Sequence, residues 1–92
     1  MLTVEIKKNK YNINDISFAD KRKLHMLNSI CFSNGKINQE KYYEMLEMTR
    51  ELAGYGPGTE NEKMLEALPM VEVDSVLQSF LMEYLGLNNK KK

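Results

Sequence analysis

The stretch from Val73 to Leu85 constrains this chain more than any other. Val73, Val76, Leu77, Phe80, Leu81, Tyr84 and Leu85 recur at the i, i+3, i+4, i+7 spacing of a helix with one wide apolar face. Seven large side chains on one helix need a cover, and a chain of 92 residues has only one domain's worth of material to supply it. The rest of the sequence is therefore read for what can pack on this helix, expected over about 72 to 85 and stopped by Gly86. Glu72 or Asp74 near its start suits the helix dipole.

Three further helices and a hairpin are legible. Leu2, Val4 and Ile6 alternate with Thr3, Glu5 and Lys7, the period of a half-buried strand. Tyr11 and Ile13 alternate with Asn12 and Asn14 on a return strand, with the turn expected at Lys8, Asn9 and Lys10. A lone hairpin is marginally stable in water, so its apolar face must lie on the helices. Ser17 is a helix N-cap with Asp20 in the first turn, and the helix is expected from Phe18 to Cys31. Leu24, Leu27 and Cys31 share a face, and Phe18 is expected to pack back onto the hairpin. The turn signal "SNGK", Ser33 to Lys36, ends this helix. A second helix, about Asn38 to Ala53, carries Tyr42, Met45, Leu46, Thr49, Leu52 and Ala53 on one stripe. A third, about 60 to 67, follows a T-x-x-E pattern at Thr59 and Glu62. The fold class is α+β: an N-terminal β-hairpin on three to four helices, one domain over residues 1–87. A basic tail, Asn88 to Lys92, is expected to be disordered.

The glycine-rich stretch "GYGPGT" from Gly54 to Thr59 is the one segment that looks like a phosphate loop. It fails each requirement. A helix precedes it rather than a strand, no lysine follows Gly58 directly, and Pro57 removes a donor. It reads as a joint between helices, closed by Gly54. His25 and Cys31 lie six apart on one helix, whereas helical metal pairs use three or four, and a Cys–His nucleophile needs hydrogen-bond reach. The acids Glu40, Glu44, Glu47 and Glu51 lack the Asp-rich loop of a hard-metal site and read as a solvated face. No catalytic residue, metal or cofactor is expected.

Two surfaces remain. Net charge is zero, yet residues 1–36 carry +4, residues 37–89 carry −7, and Lys90 to Lys92 restore +3. The hairpin lysines Lys8 and Lys10 with Lys21, Arg22 and Lys23 make the case for a small nucleic-acid-binding regulator. The neutral total and the acids downstream argue against nucleic acid. Seven methionines are many for a core this small, and exposed thioethers suit adaptable protein contacts. The expected contact set is Tyr43, Met48, Met70, Phe80, Met82 and Tyr84. Spare apolar surface on a small chain also points to homo-oligomers. One cysteine allows no internal disulfide. No run approaches the roughly 18 apolar residues of a membrane span. A cytoplasmic location is therefore expected.

The opening "VEIKKNKYNINDISFADKRKL" resembles the start of small tail-assembly proteins of tailed bacteriophages. The elements that carry the likeness are Asn9, Lys10, Tyr11 and Ile13, then Ile16, Ser17 and Phe18. The acidic middle and the apolar closing helix "VDSVLQSFLMEYLGL" resemble that group in layout. It includes tail assembly chaperones and small baseplate-hub assembly proteins. The resemblance implies a non-enzymatic role: binding a helical tail component such as the tape-measure protein, in the host cytoplasm. It brings no catalytic residues, and a structural virion subunit is the neighbouring alternative.

Overall fold

The closing helix is covered from three sides. The computed structural model describes residues 2–32 and 35–86. Its elements run β1 (Leu2–Ile6), β2 (Asn9–Ile13), α1 (Phe18–Cys31), α2 (Gln39–Ala53), α3 (Glu62–Glu66) and α4 (Met70–Leu85). This is a mostly helical α+β fold. β1 packs on α4, α2 lies across α4, and α1 packs on both helices. The expected turn at Ser33–Lys36 falls partly, and the tail Asn88–Lys92 wholly, outside the described residues.

The strands pair antiparallel with Leu2 opposite Ile13 and Val4 opposite Tyr11. This register sets Val4, Tyr11 and Ile13 together on the buried face. It also makes Ile6 pair with Asn9, so the turn is Lys7–Lys8 rather than the expected Lys8–Asn9–Lys10. A one-residue slip would carry Tyr11 and Ile13 to the solvent face, so burial of that face overrides the turn preference of Asn9. Lys7 consequently holds the left-handed φ of 58°.

The α1 cap forms as the sequence predicts: the Asp20 amide donates to Ser17 Oγ at 3.1 Å. The helix then buries Leu24 and Cys31 completely. Phe18 is a correction. It is 83% exposed, because the first turn of α1 points its residue 18 away from both the hairpin and the core. α2 starts behind the N-cap Asn38, whose side-chain oxygen accepts from the Lys41 amide at 3.1 Å. It buries Met45, Leu46, Thr49 and Ala53, and the Thr49 hydroxyl is satisfied by Met45 O at 2.8 Å.

Gly54 takes φ 95°, donating its amide to Glu51 O while the Tyr55 amide reaches Arg50 O at 3.0 Å. This is the paired closure of a Schellman motif, which a residue with a Cβ resists. The motif throws Tyr55 inward. Its ring is 2% exposed, and its hydroxyl donates to Asn12 O at 3.0 Å. The capping box expected at Thr59 and Glu62 does not form. The Thr59 hydroxyl donates to Gly56 O at 2.7 Å, and Glu62 Oε1 accepts from the Gly58 amide at 3.1 Å. Arg50 competes for the same carboxylate: its guanidinium lies 3.9 Å from Glu62 and also donates to Tyr55 O at 2.8 Å. α3 therefore begins only at Glu62, two residues late. The Gly54, Tyr55, Gly58 and Thr59 amides of this stretch all have partners within the chain.

α4 begins at Met70 behind Pro69, earlier than expected, since Pro69 O accepts from the Glu72 and Val73 amides. Its stripe is buried from Val76 to Leu85, with Val73 half-buried. Tyr84 lies near the end of the stripe, and its hydroxyl donates to Asn14 O at 2.5 Å. Burial, reinforced by the Asp15 carboxylate and then Tyr55, raises the Tyr84 phenol above its ordinary value. Tyr55 and Tyr42 are raised too, chiefly by burial. A phenol whose folded value lies above its unfolded one favours the folded state below the unfolded value, near pH 10, and loses that contribution as pH rises. Melting temperature is expected to be insensitive to these groups below about pH 10 and to fall steeply above it. Tyr84→Phe should flatten part of that alkaline slope, read by circular dichroism across the pH series.

Candidate functional site

The groove that stands open on this fold is made where α1 ends and α2 begins. Asn38 clamps that junction. Its amide donates to Cys31 O at 2.8 Å, and the Cys31 thiol lies 3.7 Å from Asn38 O. The second half of α4 passes alongside. Between them lies a groove of about 470 Å³. α1 and the segment after it contribute Asn28, Phe32 and Ile37, α2 contributes Gln39, Tyr42, Tyr43 and Met45, and α4 contributes Gln78, Leu81, Met82 and Leu85.

The floor is core: Met45, Leu81 and Leu85 are buried. The walls are not. Phe32 is 47% exposed, Ile37 60%, Tyr43 58% and Met82 43%. Four large apolar side chains thus stand around one depression, which is unlike the scattered single hydrophobes of an ordinary surface. One end is polar. Gln78 Nε2 donates to the Tyr42 hydroxyl and also lies 3.3 Å from Asp74 Oδ2. Tyr42 meets Tyr43 edge-on, with centroids 5.4 Å apart. The site therefore offers apolar contact area with a few fixed hydrogen-bonding groups at one end, the usual composition of a binding surface.

The residues expected to make contact divide into four sets. Tyr43 and Met82 stand together in the groove. Met70 is exposed, but at the other end of α4, beside a hollow lined by Leu65, Leu68 and Val73. Met48 is half-buried against the core. Phe80 and Tyr84 are corrections. They are 0% and 3% exposed, because the hairpin covers the face of α4 that carries them. Phe80 meets Tyr11 at 5.8 Å and Tyr55 at 5.2 Å. Phe32 and Ile37 were not expected. They lie beyond the end of one helix and before the start of the next, outside any periodic stripe. Two large apolar residues flanking a turn were the available signal.

The basic set is exposed throughout: Lys8 and Lys10 on the hairpin, Lys21, Arg22 and Lys23 on α1. The hairpin packs chiefly on α4 and α1 chiefly on α2, so the two halves of that set ride on elements with different neighbours. His25 is exposed and Cys31 is buried, on one helix. Among the described residues no group of three His, Cys, Asp or Glu side chains could hold a metal ion. In comparisons with known proteins, the chain matches no family model, no curated protein and no solved structure.

Proposed function

We propose that this chain is a non-enzymatic assembly protein that works by holding an amphipathic helix of another protein. The observation that carries this reading is the groove, with Phe32, Ile37, Tyr43 and Met82 exposed over a buried floor. An amphipathic helix laid into such a groove anchors through side chains at i, i+3, i+4 and i+7. The thioether of Met82 and the rings of Phe32 and Tyr43 let one surface fit helices of differing detail.

The partner in this proposal is a helical component of a phage tail, such as the tape-measure protein. Its support is the resemblance carried by residues Val4 to Leu24 and by the apolar closing helix. A long helix with an apolar stripe aggregates until it is enclosed, and a groove that covers part of the stripe prevents this. The setting is then the host cytoplasm during assembly. Among the described residues no helix is long and apolar enough to cross a membrane.

The test uses a labelled synthetic peptide from the partner's apolar heptads, followed by fluorescence anisotropy. Tyr43→Glu with Met82→Glu should weaken binding at least tenfold, about 1.4 kcal/mol or more, since both side chains enter the contact. Lys21→Glu, Arg22→Glu and Lys23→Glu together should leave the peptide affinity unchanged. A groove variant that binds as tightly as the parent would defeat the proposal. Tight duplex DNA binding that collapses with salt, and with the triple Glu change, would shift the reading to a regulator. Mass spectrometry of purified virions separates a chaperone, which is absent from them, from a structural subunit.

A further inference from the structure

α4 carries apolar features at both ends, a protruding pair at one and a groove at the other. At its first turn Met70 and Val71 are 86% and 80% exposed, a knob of two side chains directly after Pro69. Val71 shares a small hollow with Ile6, Lys7 and Asn9, so the knob stands against the hairpin turn. That turn is basic. Lys7 lies 4.0 Å from Glu72, while Lys8 and Lys10 form no ion pair among the described residues. At the other end of α4 is the groove. Its α2 wall bears Glu40, next to the lining residue Gln39, and Glu47, one turn beyond Tyr43. Both are exposed and form no ion pair among the described residues.

We propose that the knob of one copy of this chain enters the groove of a second copy, giving head-to-tail self-association. The inference shares the groove with the reading above and adds what fills it while no partner helix is bound. A copy cannot fill its own groove, because the two ends of a 16-residue helix lie about 24 Å apart. The basic turn beside the knob then meets the acidic wall beside the groove, which orients the encounter and makes it sensitive to salt. Knob and groove are different surfaces, so the contact is heterologous. It closes into a ring or runs on as an open chain rather than stopping at a two-fold dimer. The patch is small, and association is weak and concentration-dependent.

Analytical ultracentrifugation of the full chain tests this. At about 0.5 mM the parent should show a mass above the 10.7 kDa monomer, falling on dilution. A knob variant, Met70→Ser with Val71→Ser, and a groove variant, Tyr43→Glu with Met82→Glu, should each be monomeric alone. All four positions are exposed, so circular dichroism should match the parent. Mixed in equal amounts, the two variants should form a heterodimer and go no further, because one intact knob and one intact groove remain between them. In a second set, Lys8→Glu with Lys10→Glu should weaken association, and so should Glu40→Lys with Glu47→Lys. The two charge reversals combined in one chain should restore it. A monomeric parent at that concentration, a mixture without heterodimer, or association that survives in either variant alone overturns the proposal. None of these results bears on the partner-helix reading, which is measured with a foreign peptide.

Discussion

Phe80→Ala is expected to lower the urea midpoint of this chain far below that of the parent. Phe80 is fully buried at the centre of α4 and is the point where three elements meet. Its ring packs against Tyr11 of β2 with planes 68° apart and against Tyr55 of the glycine joint at 47°. Removing a buried phenylalanine costs about 3–5 kcal/mol, through lost transfer energy and the cavity left behind. A domain of this size has roughly 5–14 kcal/mol in all. A loss of this size takes away about a fifth of that stability at the upper bound and most of it at the lower one. Urea denaturation followed by circular dichroism reads the effect directly. Phe80→Leu, which keeps most of the volume, should lose about 1.5 kcal/mol or less. An unchanged midpoint for Phe80→Ala would mean that the aromatic cluster is not the centre of this core.

Tyr55→Ala should be nearly as damaging, and it separates two accounts of "GYGPGT". If that stretch were only a joint between helices, its residues would matter through backbone geometry alone. The fold gives Tyr55 a second duty. The Schellman closure at Gly54 turns the chain so that the Tyr55 ring is buried against Tyr11 and Phe80. Its hydroxyl holds Asn12 O on β2. Truncation to Ala is expected to cost about 3–5 kcal/mol, as for other large aromatics. Tyr55→Phe removes only the hydrogen bond and should cost about 1 kcal/mol. Gly58→Ala is the control for backbone geometry. Gly58 has φ 86° with open space where a Cβ would go, so only conformational strain of about 1–2 kcal/mol is expected. If Gly58→Ala proved worse than Tyr55→Ala in thermal melts, the joint account would stand and the anchor account would fall.

Both predictions concern residues whose roles were partly misread from sequence, and the reason is the same. Periodicity identified the stripe that contains Phe80 and Tyr84, but a stripe that suits a core equally suits a partner surface, and both residues were expected in the contact set. What covers a helix face depends on which element lies across it, and here β1 and β2 do so from more than 60 residues away in the chain. Phe18 shows the converse. Its position at the mouth of a helix next to a hairpin implied contact, yet the path from Asn14 to Ser17 sets the first turn of α1 facing outward. The groove was half legible. Tyr43 and Met82 fall off the apolar stripes of their helices, so periodicity alone leaves them on the surface. Phe32 and Ile37 belong to no stripe at all.

The sequence by itself determined the element types, both ends of α1 and the three stripes. Helix and strand periods, the Ser17 cap and the glycine at Gly54 act through backbone geometry within a few residues, so local sequence suffices to specify them. Only the tertiary structure decided which apolar residues the elements cover, that Tyr55 is drawn into the core, and that Phe32, Ile37, Tyr43 and Met82 are left standing around one groove. Burial is a property of distant segments brought together, and a period of 3.6 says which residues share a face without saying what that face will meet.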